Sequence, residues 1–137
     1  MIRYLNEMAI INPRKCKNLT IQVEVEQRDE GPIPHLHCYL DKTRNPKNCS
    51  YIRLDTVGYS EHHKKDNHPL GNKKEEFLDV MNSLCSDYIK GKDGNIVQLT
   101  GYQSAVKTWS ETFEDGSFDK FSVDSNGIPI QLDYSNL

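Results

Sequence analysis

The sequence predicts an α+β fold: an antiparallel sheet opening with an N-terminal three-stranded meander, packed by two amphipathic helices, with a C-terminal β-hairpin. Three observations carry the prediction. Apolar residues alternate with period two in the first 60 residues, recur at helical spacing in two later segments, and flank an Asn-Gly turn near the end. The 137 residues suit a single domain, with sheet at about 19–56, a mobile loop at 59–71, helices at about 72–90 and 101–114, and a hairpin at about 118–134.

The first strand is the clearest extended run. Leu19, Ile21, Val23 and Val25 alternate with Thr20, Gln22, Glu24 and Glu26, which places one face on a core and the other in water. Gly31 and Pro32 punctuate the turn after it, and Pro34 suits the first position of the second strand, where no ladder donor is needed. That strand runs Pro34 to Leu40, a loop covers Asp41 to Asn48, and a third strand covers Ser50 to Asp55. The connections are too short for parallel crossovers, so the meander is antiparallel. From Tyr59 to Leu70 the chain is polar and aperiodic, and a loop of that length is expected to be functional or mobile.

Asn72 and Glu75 form a capping-box pair ahead of Phe77, Val80, Met81, Leu84, Cys85 and Tyr88, which share a helical stripe up to Gly91. Asp93-Gly94 then turns into a short strand over 95–99. Thr100 and Gln103 cap a second helix, striped by Tyr102, Val106, Trp109 and Phe113. In the tail, Phe121 and Val123 lead into Asn126-Gly127, and Ile128, Ile130 and Leu132 lead out. Pro129 confines that last strand to an edge.

Composition excludes some classes. With 17 Lys+Arg against 20 Asp+Glu, the net charge of −3 rules out a strongly basic nucleic-acid protein. The apolar run Met8-Ala9-Ile10-Ile11 is too short for a membrane span or a signal-peptide core, so a cytoplasmic protein with no membrane partner is expected. Charge is unevenly divided: residues 1–75 carry 13 basic and 10 acidic side chains, residues 76–137 carry 4 and 10. Cys16, Cys38, Cys49 and Cys85 have no zinc-finger spacing. Strand parity sends Cys38 and Cys49 to opposite faces unless a bulge intervenes, so free thiols are expected.

The same parity gathers polar groups. With Ile21, Val23, Val25, Leu36, Cys38, Leu40, Ile52 and Leu54 inward, the other face carries Glu24, Glu26, His35, His37, Tyr39, Tyr51, Arg53 and Asp55. Residues i and i+2 on a strand share a face, so His35 and His37 can hold one ligand between them. His35, His37, Tyr39, Tyr51, Arg53 and Asp55 are therefore the candidate binding residues. The same mixture also suits an ordinary solvated sheet face with imidazoles bonded to carboxylates. His35, His37, His62, His63 and His68 are the candidate ligands for a divalent transition metal, with Asp66 nearby, although Lys64 and Lys65 oppose a cation. No other cofactor is indicated. Phosphate-binding loops, dinucleotide fingerprints, zinc-protease helices and nucleophile elbows are all missing from the sequence.

The segment Val23 to Tyr39, with its acidic turn and Pro34-His35-Leu36-His37, resembles a family of small bacterial proteins of unknown function. Their hallmark is an acidic turn followed by P-P-H-F-H-V on a strand, and they often lie near toxin–antitoxin loci. The match covers about 35 of the 137 residues, with Ile33 in place of the first proline. The resemblance implies an accessory protein of a bacterium or mobile element and transfers no catalytic residues. The leading expectation is a non-enzymatic protein that binds a protein or nucleoprotein partner in a toxin–antitoxin or phage-defence setting. Direct nucleic-acid binding is a weaker expectation, because Glu24, Glu26 and Asp55 oppose a phosphate at this face. A metal-dependent hydrolase or nuclease using His35 and His37 is one alternative. An acidic mimic of nucleic-acid charge is the other.

Overall fold

Period-two alternation builds the N-terminal sheet. A computed structural model describes residues 8–11, 19–26, 31–61 and 67–137. Strands β2 (Gln22–Glu26), β3 (His35–Tyr39) and β4 (Cys49–Arg53) form the antiparallel meander. A further strand, β1 (Met8–Ile10), pairs antiparallel with β2 and lies ahead of the segment that alternation marks as sheet. Its three residues are too few for a periodic signal.

The apolar side of the meander meets the helices as alternation requires. Ile21, Val23, Val25, Leu36, Cys38, Ile52 and Leu54 are fully buried. They pack in one core with Phe77, Val80 and Met81 of helix α1 (Lys74–Asn82) and Tyr102, Ala105, Val106 and Trp109 of helix α2 (Gly101–Phe113). α2 begins at a complete capping box: the Thr100 hydroxyl accepts from the Gln103 N–H, and the Gln103 side chain accepts from the Thr100 N–H. Two amide donors that a helix start leaves unpaired are thereby satisfied.

The expected helix over 72–90 is corrected. α1 stops at Asn82, Ser83 is extended (φ −94°, ψ 145°), and Leu84–Lys90 is strand β5. β5 pairs antiparallel with β6 (Ile96–Thr100) to make a separate two-stranded sheet, with a register shift between Leu84 and Tyr88. The physical reason lies in β6. A strand leaving the Asp93-Gly94 turn needs a ladder partner, and β5 supplies one that a helix could not. Nor does Asn72 cap α1: a 3-10 turn over Gly71–Lys73 carries the chain straight into the helix without a side-chain cap.

The C-terminal hairpin is also reduced. Among the described residues it holds a single bridge, Val123 to Pro129, around a turn in which Asp124 Oδ1 accepts from the N–H groups of Asn126 and Ile128. Proline lacks the donor that a longer ladder would demand. The loop expected over 59–71 is tied to the sheet at both ends, by bridges from Tyr59 to Ile52 and from Asn67 to Cys49. Residues 62–66 lie outside the described residues.

Candidate functional site

His35 and His37 project from the same face of β3, as alternation predicts. Their rings are stacked, with centroids 5.5 Å apart and planes 16° from parallel. The cross-strand register sets Glu24 beside His37 and His37 beside Tyr51, so a carboxylate, an imidazole and a phenol form one row across three strands. Tyr39 flanks this row, its ring 6.1 Å from that of His37, and Tyr51 stands edge-on to His37 at 4.8 Å.

The expectation that this face is open to water is corrected. His35 is 1% exposed and His37 5%, and Tyr39, Tyr51, Glu24 and Glu26 are buried with them. Part of the cover is mutual: the rings shield one another, and the Trp109 indole of α2 lies 5.5 Å from the His35 ring. Alternation fixes which way a side chain points, but says nothing about what lies over it. His35 Nδ1 donates to the Ile33 carbonyl at 2.9 Å, which fixes one ring nitrogen as the protonated one.

Arg53 is the cross-strand partner of His35 at the partly exposed end of β4, and Asp55 lies two residues beyond it. They make a bidentate pair, Nε to Oδ1 at 2.9 Å and Nη2 to Oδ2 at 2.8 Å. The hydrogen-bonded carboxylate raises the already basic guanidinium further. Of the six candidate binding residues, four therefore form a buried aromatic–imidazole cluster and two form a self-satisfied ion pair.

The Cys38 and Cys49 thiols and the Tyr39 phenol are held neutral. Burial pushes the Cys49 thiol up to about 12 and, with Cys49 and Glu24 nearby, pushes the Tyr39 phenol to about 12 as well. Burial raises Cys38 further. None of these groups is an activated nucleophile, which needs a lowered pKa. Cys38 lies in the apolar core and Cys49 in the aromatic cluster with Tyr39 and Tyr51, so parity separates them and both thiols are free. Cys85 is free as well, and Cys16 lies outside the described residues.

The metal candidates do not assemble within what is described. His68 is exposed and lines a cleft of about 270 Å³ with Tyr59, Ser60, Glu61, Asn67 and Pro69. His62, His63 and Asp66 lie outside the described residues. Among the described residues, no three His, Cys, Asp or Glu side chains converge on one point.

Two features escape the sequence reading. Arg44, in the β3–β4 loop, reaches Glu24 with its Nε 3.0 Å from Oε2. The sequence carries no signal for it, because alternation sends Glu24 to the face expected to meet water and says nothing of which loop side chain crosses over it. The second feature is the outer face of the β5–β6 hairpin, where Leu84, Tyr88 and Ile96 are 45%, 50% and 64% exposed. The inner face, by contrast, buries Cys85 and Leu99 against Ile128. Comparison of the chain with models of protein families, with curated proteins and with solved structures finds no match.

Proposed function

We propose that the chain is a non-enzymatic accessory protein of a bacterium or mobile element, in a toxin–antitoxin or phage-defence setting, that binds a protein partner through the outer face of its β5–β6 hairpin. The observation that carries this reading is the exposure of Leu84, Tyr88 and Ile96 on one face. The register makes two of them neighbours: Tyr88 pairs with Gln98 and Lys90 with Ile96, so these four side chains share a side, and Leu84 lies farther along the strand beyond a register shift. Aromatic and aliphatic anchors flanked by Gln98 and Lys90 are the composition of a protein-binding patch. One lysine among them offers little to a phosphate backbone, which favours a protein over a nucleic acid. The neutral, buried state of Cys49 and Tyr39 speaks against nucleophilic chemistry on the meander.

The test is affinity purification of the tagged protein from its own cells, wild type beside Tyr88→Ser/Ile96→Ser. Both positions are half exposed or more, so the variant should keep its circular dichroism and Tm. We expect a protein that co-purifies in stoichiometric amount with the wild type and falls roughly tenfold with the variant, as losing about 1.4 kcal/mol of binding would cause. Equal recovery from both, or no stoichiometric partner of the wild type, overturns the reading.

A further inference from the structure

The Glu24 carboxylate occupies an anomalous position. It is 1% exposed, yet among the described residues neither of its oxygens accepts a hydrogen bond. Arg44 approaches to 3.0 Å, close enough to neutralise charge, but without the alignment that a hydrogen bond needs. The contrast with Arg53 and Asp55 is direct, since there two aligned bonds hold the guanidinium in the plane of the carboxylate. A carboxylate taken out of water and left with an unaligned counter-charge is an under-filled site.

Its surroundings suit a flat cation. His37 lies beside Glu24 across the ladder, Tyr51 lies beyond it, and Tyr39, opposite Gln22, lies diagonally across from Glu24. Aromatic rings grouped beside a carboxylate are the elements from which a guanidinium site is built. Glu26, two residues along β2, is also buried and adds to the acidic character.

The present occupant is loosely held. The Arg44 side chain is 49% exposed, at a backbone φ of +56° in a loop that is anchored without it. Asp41 accepts from the Thr43 N–H and from Asn48 Nδ2, and the Leu40 N–H donates to the Asn48 carbonyl. A change of Arg44 rotamer therefore takes the guanidinium off Glu24 without unfolding the loop.

We propose that Glu24, with His37, Tyr39 and Tyr51, forms a guanidinium-binding site, occupied by Arg44 as an internal stand-in and taken over by an arginine side chain of a partner protein. Arg44 then acts as a competitive plug. The site involves neither β5 nor β6, so it stands or falls independently of the hairpin reading.

The test uses the whole chain in two forms. Arg44→Ala leaves Glu24 without its counter-charge, and we expect a lowered Tm that ethylguanidinium restores by about 4 °C when tenfold above its Kd. Ethylammonium should restore it less, and Arg44→Ala/Glu24→Gln should show no such shift. In the wild type, titration with N-acetyl-arginine methylamide should move the His37 ring resonances saturably, the lysine analogue should not, and Glu24→Gln should abolish the response. This second measurement holds even if Arg44→Ala fails to fold. Ethylguanidinium acting equally on the Arg44→Ala/Glu24→Gln double variant overturns the proposal. So do wild-type His37 resonances that never respond to arginine, because Arg44 would then be a permanent structural residue.

Discussion

At the scale of single residues, close approach decides more than polarity. Gly101 opens α2 against the end of α1, and a Cβ there would stand 2.1 Å from the Val80 carbonyl oxygen and 2.9 Å from its carbon. Those atoms belong to a helix backbone and cannot rotate aside. The Gly101 N–H also donates to the Ser83 carbonyl, which locks the α1–β5 corner to the start of α2. At Gly91 the atom met first is Asn126 Nδ2, at 2.2 Å, the end of a side chain that can swing away. Gly101→Ala is therefore expected to cost about 1–3 kcal/mol, as overpacking does, and Gly91→Ala clearly less. Urea-unfolding midpoints compare the two, and equal midpoints would contradict the steric argument. The histidines illustrate the same scale from the other side. Their shared direction follows from sequence alone, whereas the cover over His35 includes Trp109, which is 74 positions beyond it in the chain (109 against 35).

At the scale of elements, β5 marks where sequence reading divides from structure. Leu84 and Tyr88 continue the helical spacing of Phe77, Val80 and Met81, and the same letters also alternate in and out as a strand: Leu84 out, Cys85 in, Tyr88 out. Two periods fit one segment, and long-range pairing with β6 selects the strand. The signal that resolves it was the Asp93-Gly94 turn, which demands extended chain on both sides. The meander and α2 were legible because their periods admit no second fit. β5 is then latched to α2 by Asp87, which accepts from Lys107 Nζ at 2.7 Å and from Ser104 Oγ at 2.9 Å. Partial burial pushes this carboxyl up, but the Lys107 and Ser104 bonds outweigh it and hold it below its ordinary 3.8. A carboxyl depressed in the folded state contributes stability that is complete above its unfolded pKa and lost as pH falls through the folded one. Asp87→Asn should cost about 1 kcal/mol at neutral pH, the scale of a partly exposed ion pair. The gap between wild type and variant should narrow below about pH 4. Urea midpoints measured across that window check this, and a gap independent of pH would refute the latch.

At the scale of the whole molecule, the C-terminal tail ties the parts together. Tyr134 is 1% exposed and packs edge-on to Phe77 of α1 at 5.6 Å and tilted against Tyr102 of α2 at 5.9 Å. Its hydroxyl donates to the Arg53 carbonyl at the end of β4, while the Tyr102 hydroxyl donates to the Leu54 carbonyl beside it at 2.7 Å. One ring thus bridges both helices and the sheet. Burial raises the Tyr134 phenol, keeping it a neutral donor at physiological pH. This role is not legible in the sequence, because a lone tyrosine among polar neighbours has no period to betray it. Tyr134→Ala removes a buried ring from a shared core, and is expected to cost about 3–5 kcal/mol, a large share of the roughly 5–15 kcal/mol that holds a domain. Tyr134→Phe keeps the ring and loses the hydrogen bond, which should cost about 1 kcal/mol. If the tail were a passive appendage, Trp109 fluorescence would report the same unfolding midpoint for all three proteins. If it staples the fold, the alanine variant must melt far below the phenylalanine one, in a single transition shared by the sheet and both helices.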